Sequence, residues 1–299
     1  MLIIKSIIQQ HQLLNMPEPR HPLVSIIRFE DAKAIATEDT VDFRNKFYNI
    51  SLKKTCSSNE KYGRNDYDFN HGFMIFCAPD RKMVWDVNDR MPAAGWNLSI
   101  HPDFLIGYQL WEKIKHCDFF IYGMTEALHL SLSEEAIIEN ILNGINQEYH
   151  ASIDVYSQDV IISQIETLIN YALRFYTRQF ITRKHINNEL LHKTESILNL
   201  YFNSNQIRAD GLPTVKYLAD QLNLSPSYLS DLLRNLTGQN AQQHIHNKLI
   251  EKAKELLVNT SLPVNEIAYQ LGFEYPQSFN RLFKQKTELS PYQFKSSLN

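Results

Sequence analysis

Val215-Lys216-Tyr217-Leu218-Ala219-Asp220-Gln221-Leu222-Asn223-Leu224 recurs as Val264-Asn265-Glu266-Ile267-Ala268-Tyr269-Gln270-Leu271-Gly272-Phe273, at an offset of 49. Past the turn the offset becomes 50: Leu229 matches Phe279, Leu232 matches Leu282, Leu233 matches Phe283, Arg234 matches Lys284 and Thr237 matches Thr287. Apolar positions, a small alanine and the turn residue return together, which marks an internal duplication. Each copy predicts helix, tight turn, helix. Ala219 and Ala268 let a second helix cross closely. Asn223 and Gly272 are the residue types that best tolerate a left-handed backbone.

In the second helix of each copy, Leu229, Leu232, Leu233 and Leu236, or Tyr275, Phe279, Leu282 and Phe283, predict the buried face. The outward face is then small and polar. It carries Ser227, Ser230, Asp231 and Arg234 in the first copy, and Gln277, Ser278, Asn280, Arg281 and Lys284 in the second. A helix-turn-helix places such a face in the major groove, where Gln, Asn and Arg read base edges. Between the copies, residues 241 to about 258 predict a helix with Ile245, Leu249, Ala253, Leu256 and Leu257 on one face. Its ~27 Å length, plus the width of the two motifs, suits recognition helices that must lie ~34 Å apart.

The C-terminal stretch resembles the DNA-binding domain of the AraC/XylS family of bacterial transcription regulators. The matching residues are Ala253-Lys254-Glu255-Leu256-Leu257, Glu266-Ile267-Ala268, Leu271-Gly272-Phe273, Ser278-Phe279-Asn280-Arg281-Leu282-Phe283-Lys284 and Ser290-Pro291. The resemblance implies two helix-turn-helix units joined by one helix. It also implies base-reading positions at Ser227, Ser230 and Asp231, and at Gln277, Ser278, Asn280 and Arg281. Two residues depart from the family pattern. Asp231 stands where a basic or amide side chain is usual, and an acid is repelled by phosphate. Glu288 stands where glycine is usual, matching Gly238 in the first copy, and a side chain in a left-handed cap costs ~1 kcal/mol or more.

Upstream the pattern is different. Val24–Phe29, Phe47–Leu52, Phe73–Cys77, Met83–Val87, Trp96–Ile100 and Phe119–Tyr122 are short apolar segments rich in aromatic and β-branched residues. Turn residues such as Asn65-Asp66 and Ala78-Pro79-Asp80 separate them, so an antiparallel β sandwich or barrel is expected. The family resemblance makes that domain cupin-like, with sensing or dimerisation as its role. Helical periodicity begins at Ser133, an expected N-cap before Glu134 and Glu135. A stripe of Ile161, Ile165, Leu168, Ala172 and Phe175 suits either packing on the β domain or a dimer seam. A second stripe is Ile186, Leu190, Ile197 and Tyr201, and the basic cluster Arg178, Arg183 and Lys184 lies between the two. The expected fold class is therefore α+β, with a β-rich sensor or dimerisation domain over 1–182 and an all-α DNA-binding domain over 183–299.

The chain of 299 residues carries a net charge of -3, which taken whole argues against nucleic acid. By segment, residues 1–184 hold 19 Lys and Arg against 23 Asp and Glu, net -4, and residues 185–299 hold 11 against 10, net +1. Distribution matters more than the total. Lys248, Lys252, Arg281, Lys284, Lys286 and Lys295 concentrate in the second half of the repeat domain and are expected to supply the phosphate attraction. So few cations imply modest affinity per monomer, hence a homodimer.

No catalytic constellation is present. His71, His101, His116 and His129 are scattered, and the pair His244 and His246 lies at i,i+2 on a helix, so neither a metal site nor a cofactor is expected. Cys56, Cys77 and Cys117 read as reduced thiols of a cytoplasmic protein. Trp85, Trp96, Tyr108, Trp111 and Phe119-Phe120 suit a core or an apolar ligand pocket. No apolar run approaches the ~20 residues of a membrane span. The expected partners are double-stranded DNA, a second copy of the chain, a small-molecule effector and RNA polymerase; the expected activity is regulation, including activation, and not catalysis. The readings from other classes are a small-molecule-binding cupin-like protein and a protein-interaction module without specific DNA binding.

Overall fold

The computed structural model describes residues 2–32, 40–54, 72–86, 94–123, 126–152, 154–182, 184–204 and 206–296. Cys56, His71, Val87 and Arg183, together with the Asn65-Asp66 turn, lie outside the described residues, as do the side chains of Trp85 and Ile186. The chain divides into two compact units, Met1–Gln179 and Phe180–Asn299.

The first unit comprises β1 (Leu2–Ile4), α1 (Ile7–Leu13), β2 (Val24–Arg28), β3 (Thr40–Asn45), β4 (Tyr48–Lys54), β5 (Phe73–Cys77), β6 (Met83–Asp86), β7 (Ala94–Ile100), α2 (Gln109–Lys115), β8 (Leu128–His129), α3 (Leu132–His150) and most of α4 (Ser157–Thr182). One sheet has the strand order β1-β3-β6 and the other β2-β7-β4-β5-β8. The expected antiparallel pairing holds except that β1 runs parallel to β3, with Leu2 opposite Phe43 and Ile4 opposite Asn45. A parallel pair needs a crossover, and the chain through α1 and β2 provides it.

Register sorts the five-stranded sheet into two faces. Ile26, Leu98, Ile50 and Phe76 align across four strands and Trp96, Leu52 and Met74 across three, and this face is apolar apart from Arg28, which lies over the Trp96 ring, and Lys54 at its end. It is covered by helical residues, with Phe76 against Phe119 and Tyr176. The opposite face sets a buried polar cluster among the apolar Ile27, Ile75 and Cys77. Asn97 donates to Ser99 Oγ at 3.0 Å, Ser51 donates to Asn97 Oδ1 at 2.9 Å, and Ser99 lies 2.8 Å from both Asn49 Oδ1 and Gln10 Oε1. His11 Nε2 lies 2.7 Å from Ser25 Oγ and its Nδ1 2.6 Å from the Pro17 carbonyl. The buried groups thus find partners within the sheet and on α1, as burial demands.

Three local expectations change. Phe119–Tyr122 is not a strand; Asp118–Ile121 forms a 3₁₀ turn. Consecutive Phe119 and Phe120 both enter the core beside Phe76, which strand alternation would forbid. The α3 cap is Ser131 rather than Ser133, because only Ser131 has Glu134 three residues on. Its hydroxyl accepts from Glu134 N–H while the Glu134 carboxylate accepts from Ser131 N–H. The stripe Ile161, Ile165, Leu168, Ala172 and Phe175 is buried by the chain itself, so it is core and not a dimer seam. Trp96, Phe119 and Phe120 are likewise core.

The second unit contains α5 (Lys184–Asn203), α6 (Gln206–Asp210), α7 (Val215–Leu222), α8 (Pro226–Thr237), α9 (Ala241–Asn259), α10 (Val264–Gln270), α11 (Pro276–Thr287) and α12 (Pro291–Ser296). The buried stripe of α5 runs through Thr194, Leu198, Tyr201 and Phe202, so Ile197 is only half-buried. Tyr201 donates to the Gly211 carbonyl at 3.0 Å, which sets that face inward.

The duplication is visible in the backbone. Asn223 has φ 55° and Gly272 φ 78°. After each, the next N–H returns to the repeat alanine: Leu224 N to Ala219 O at 2.9 Å, and Phe273 N to Ala268 O at 3.1 Å. This is the Schellman closure, which satisfies helix-end carbonyls and reverses the chain in a fixed direction. The second helices close alike. Gly238 N donates to Arg234 O at 2.9 Å with φ 76°, and Glu288 N to Lys284 O at 2.8 Å with φ 65°. Thr237 and Thr287 each donate to the carbonyl four residues back, at 2.8 Å.

At Gly272 the close approach matters as much as φ. An added Cβ would lie 2.8 Å from Ile207 O and 2.9 Å from Gly211 Cα. Gly272→Ala is therefore expected to destabilise the chain by about 2–4 kcal/mol, read by urea denaturation; an unchanged midpoint would remove the tight-contact argument. At Gly238 nothing lies within 4 Å of such an atom, and its counterpart Glu288 already tolerates the cap at a conformational cost. Glu288→Gly should raise the thermal midpoint, with a gain of up to about 1 kcal/mol. Glu288→Ala, which removes the charge but keeps a Cβ, should not reproduce it.

Candidate nucleic-acid interface

The two second helices, α8 and α11, begin alike. Each has proline at its first position, where the missing N–H is not needed. Ser225 caps α8 by accepting from Tyr228 N–H at 3.3 Å, whereas Tyr275 before α11 makes no side-chain cap. Both helices bury one face completely. In α8 it is Tyr228, Leu229, Leu232 and Leu233; in α11 it is Phe279 and Phe283, in a chain of rings from Phe273 to Phe294. Leu236 and Leu282 are half-buried rather than core. Tyr275 departs further: it is 60% exposed. As the residue before the helix it has extended φ and ψ of -124° and 119°, which turns it off the apolar face.

The polar positions fall into two groups. Arg234, Gln277, Ser278, Arg281 and Lys284 are exposed, while Ser227, Ser230, Asp231 and Asn280 are half-buried. Asn280 is therefore not simply outward. Its Oδ1 is buried without a hydrogen-bond partner among the described residues. Asp231 is also not a free acid. Arg234 Nη1 donates to Asp231 Oδ1 at 2.7 Å, and the Asp231 side chain is only 16% exposed.

The cations also differ from their sequence expectation. Lys248 pairs with Glu251 at 2.8 Å and Lys252 with Glu255 at 3.0 Å. Lys295 donates to the Thr260 and Leu262 carbonyls at 3.0 and 2.9 Å, fastening α12 beneath the end of α9. These three are spent on the fold. Arg281 and Lys284, both on α11, have no ion-pair or hydrogen-bond partner among the described residues. Reading residue types alone missed this difference, because i,i+3 acids accompany Lys248 and Lys252 and no acid stands at that spacing from Arg281 or Lys284.

On α9, burial lowers the pKa of both His244 and His246; Glu195 partly opposes this at His244 and Lys286 reinforces it at His246. His244 Nε2 lies 2.9 Å from Thr237 Oγ1. The pair makes local contacts, and among the described residues no three His, Cys, Asp or Glu groups gather as a metal site. Burial pushes the Cys77 and Cys117 thiols up to about 11, which disfavours the reactive thiolate. No helix among the described residues is long and apolar enough to cross a membrane.

Comparison with known proteins agrees with this geometry. Residues 218–297 match the family described as a helix-turn-helix domain. The HTH-type transcriptional regulator YfiF of Bacillus subtilis is 27% identical over 188 residues, which is 63% of this chain and 56% of its own. The arabinose operon regulatory protein of Salmonella typhimurium is 33% identical over 88 residues, 29% of this chain and 31% of its own. The chain thus spans about half of the first and a third of the second. Among solved structures, the C-terminal domain of the two-component response regulator yesN from Fusobacterium nucleatum is 32% identical, covering 34% of this chain and 93% of its own, with a TM-score of 0.30. Through residues 218–297 the chain carries a helix-turn-helix domain of the AraC/XylS type.

Proposed function

We propose that the protein is a sequence-specific DNA-binding transcription regulator. The observation that carries this is the pair of equivalent helices, α8 and α11, each closed by the same backbone turn and each presenting a polar face. Ser227, Ser230 and Arg234 on α8, and Gln277, Ser278, Asn280, Arg281 and Lys284 on α11, face adjacent major-groove segments. Joined by the 19 residues of α9, about 28 Å long, the two helices read one side of the duplex. The uncommitted Arg281 and Lys284 make α11 the stronger contributor. The rest of the chain, the β-rich sensor or dimerisation domain with its linker helices over 1–182, joins two copies and responds to a small molecule; the cytoplasm and RNA polymerase are the setting and downstream partner. Selection of duplexes from a random-sequence pool by the full-length chain tests this. Recovery of no preferred sequence would exclude it and leave a protein-interaction module.

Asp231 serves this reading through Arg234, by fixing the guanidinium, and not as a base contact itself.

Two substitutions follow on the selected duplex. Arg281→Ala should relax preference at one base pair by ~1–3 kcal/mol. Equal weakening on every sequence would instead make Arg281 a phosphate contact. Asp231→Ala and Arg234→Ala should relax the same base pair, and the double variant should lose no more than Arg234→Ala alone. A uniform tightening by Asp231→Ala, with a steeper salt dependence, would show the acid to be only repulsive.

A further inference from the structure

The first unit contains a cavity of about 250 Å³ where the start of β2, the end of α3 and the start of α4 meet. At ~30 Å³ per water its volume suits a molecule of roughly eight or nine non-hydrogen atoms. Its floor is apolar, formed by Val24, Phe104 and Ile161, which are all buried. Its polar lining holds hydrogen-bonding capacity that the fold does not use.

Tyr149 is 7% exposed. Its oxygen accepts from Arg20 N–H at 2.8 Å, which leaves its own proton without an acceptor among the described residues. His21 Nδ1 accepts from Leu23 N–H at 3.1 Å, so the proton of the neutral ring sits on Nε2, a donor without a partner among the described residues. Burial lowers the pKa of this ring and favours that neutral form. Arg20 spends only Nη1, on the His150 carbonyl at 3.0 Å. Arg20 and Glu148 line the same cavity, yet neither forms an ion pair with the other or with any other described residue. Asp154, the remaining acid there, accepts at Oδ1 from Tyr156 N–H and Ser157 Oγ, which fixes its position at the start of α4 and leaves it a carboxylate.

A cavity with a cluster of unspent donors, the Glu148 carboxylate without a side-chain partner among the described residues, Asp154 beside it and an apolar floor is complementary to a small zwitterion. We propose that this cavity binds a free α-amino acid with an apolar side chain. The ligand carboxylate meets Arg20, His21 and Tyr149, its ammonium meets Glu148, and its side chain covers Phe104 and Ile161. An isolated charge entering such a site would leave the opposite group unmatched; a zwitterion satisfies both. The site stands whether or not the second unit binds DNA, because the test reads ligand binding alone.

Calorimetric titration of the full-length chain with L-leucine and L-phenylalanine tests this, beside isocaproate, which lacks the ammonium, and isoamylamine, which lacks the carboxylate. At least one amino acid should bind saturably, and each half-ligand at least tenfold more weakly than L-leucine. Glu148→Gln should erase the preference for L-leucine over isocaproate. Arg20→Ala should erase the preference for L-leucine over isoamylamine. Such crossed losses of selectivity cannot come from misfolding, which would weaken all ligands together. No saturable binding of either amino acid, or selectivity unchanged in both variants, would overturn the proposal.

Discussion

The second unit depends on one backbone device, the left-handed residue that ends the first helix of each repeat. At Asn223 and Gly272 a positive φ lets the following N–H reach the carbonyl of Ala219 or Ala268. That bond fixes the direction in which α8 and α11 leave the turn. The alanines are fully buried, so each turn is both hydrogen-bonded and closely packed. Everything exposed on α8 and α11 is then placed by the buried half of the same helix, without a requirement on the outward residues themselves. The polar positions are free to specify a partner because the apolar ones already specify the shape.

The repeat was legible from sequence because it is written in residues with narrow tolerances. Small Ala219 and Ala268, and turn residues Asn223, Gly238 and Gly272, announce backbone geometry directly. Even Glu288 could be placed in a left-handed cap, by alignment with Gly238. The misreadings arise where type and period are ambiguous. Tyr275 has the composition of a core residue but sits one position before its helix, where the helical period does not apply. Ser131 and Ser133 both suit a cap, and only the reciprocal bond with Glu134 decides between them. Phe119-Phe120 has strand composition, and only tertiary packing of both rings decides for a turn. The polar cluster on the sheet was not foreseen, because buried Asn and Ser look like surface residues until their partners are known.

Charge was the least legible property. Counting put six cations in the second half of the repeat domain. Geometry assigns Lys248 and Lys252 to neighbouring acids and Lys295 to carbonyls. An exposed i,i+3 pair is worth only a fraction of a kcal/mol, but its acid offsets the lysine's charge toward an approaching phosphate. The count of cations therefore overstates, and Arg281 with Lys284 better represents, the attraction available. The Asp231–Arg234 pair shows the same effect in the opposite sense: an acid that looked repulsive by sequence is matched before any partner arrives.

The contact between Gly272 and Gly211 has a consequence for how the second unit melts. Gly211 precedes the first repeat, and Gly272 is the turn of the second. The chain that enters the first helix-turn-helix thus touches the middle of the last one, while Lys295 ties α12 back to the end of α9. A duplicated motif of this kind could have been two independently opening segments on a helical rod. With its ends latched onto its interior, it is expected to open as one cooperative unit, with amide protons in both repeats exchanging through a shared opening.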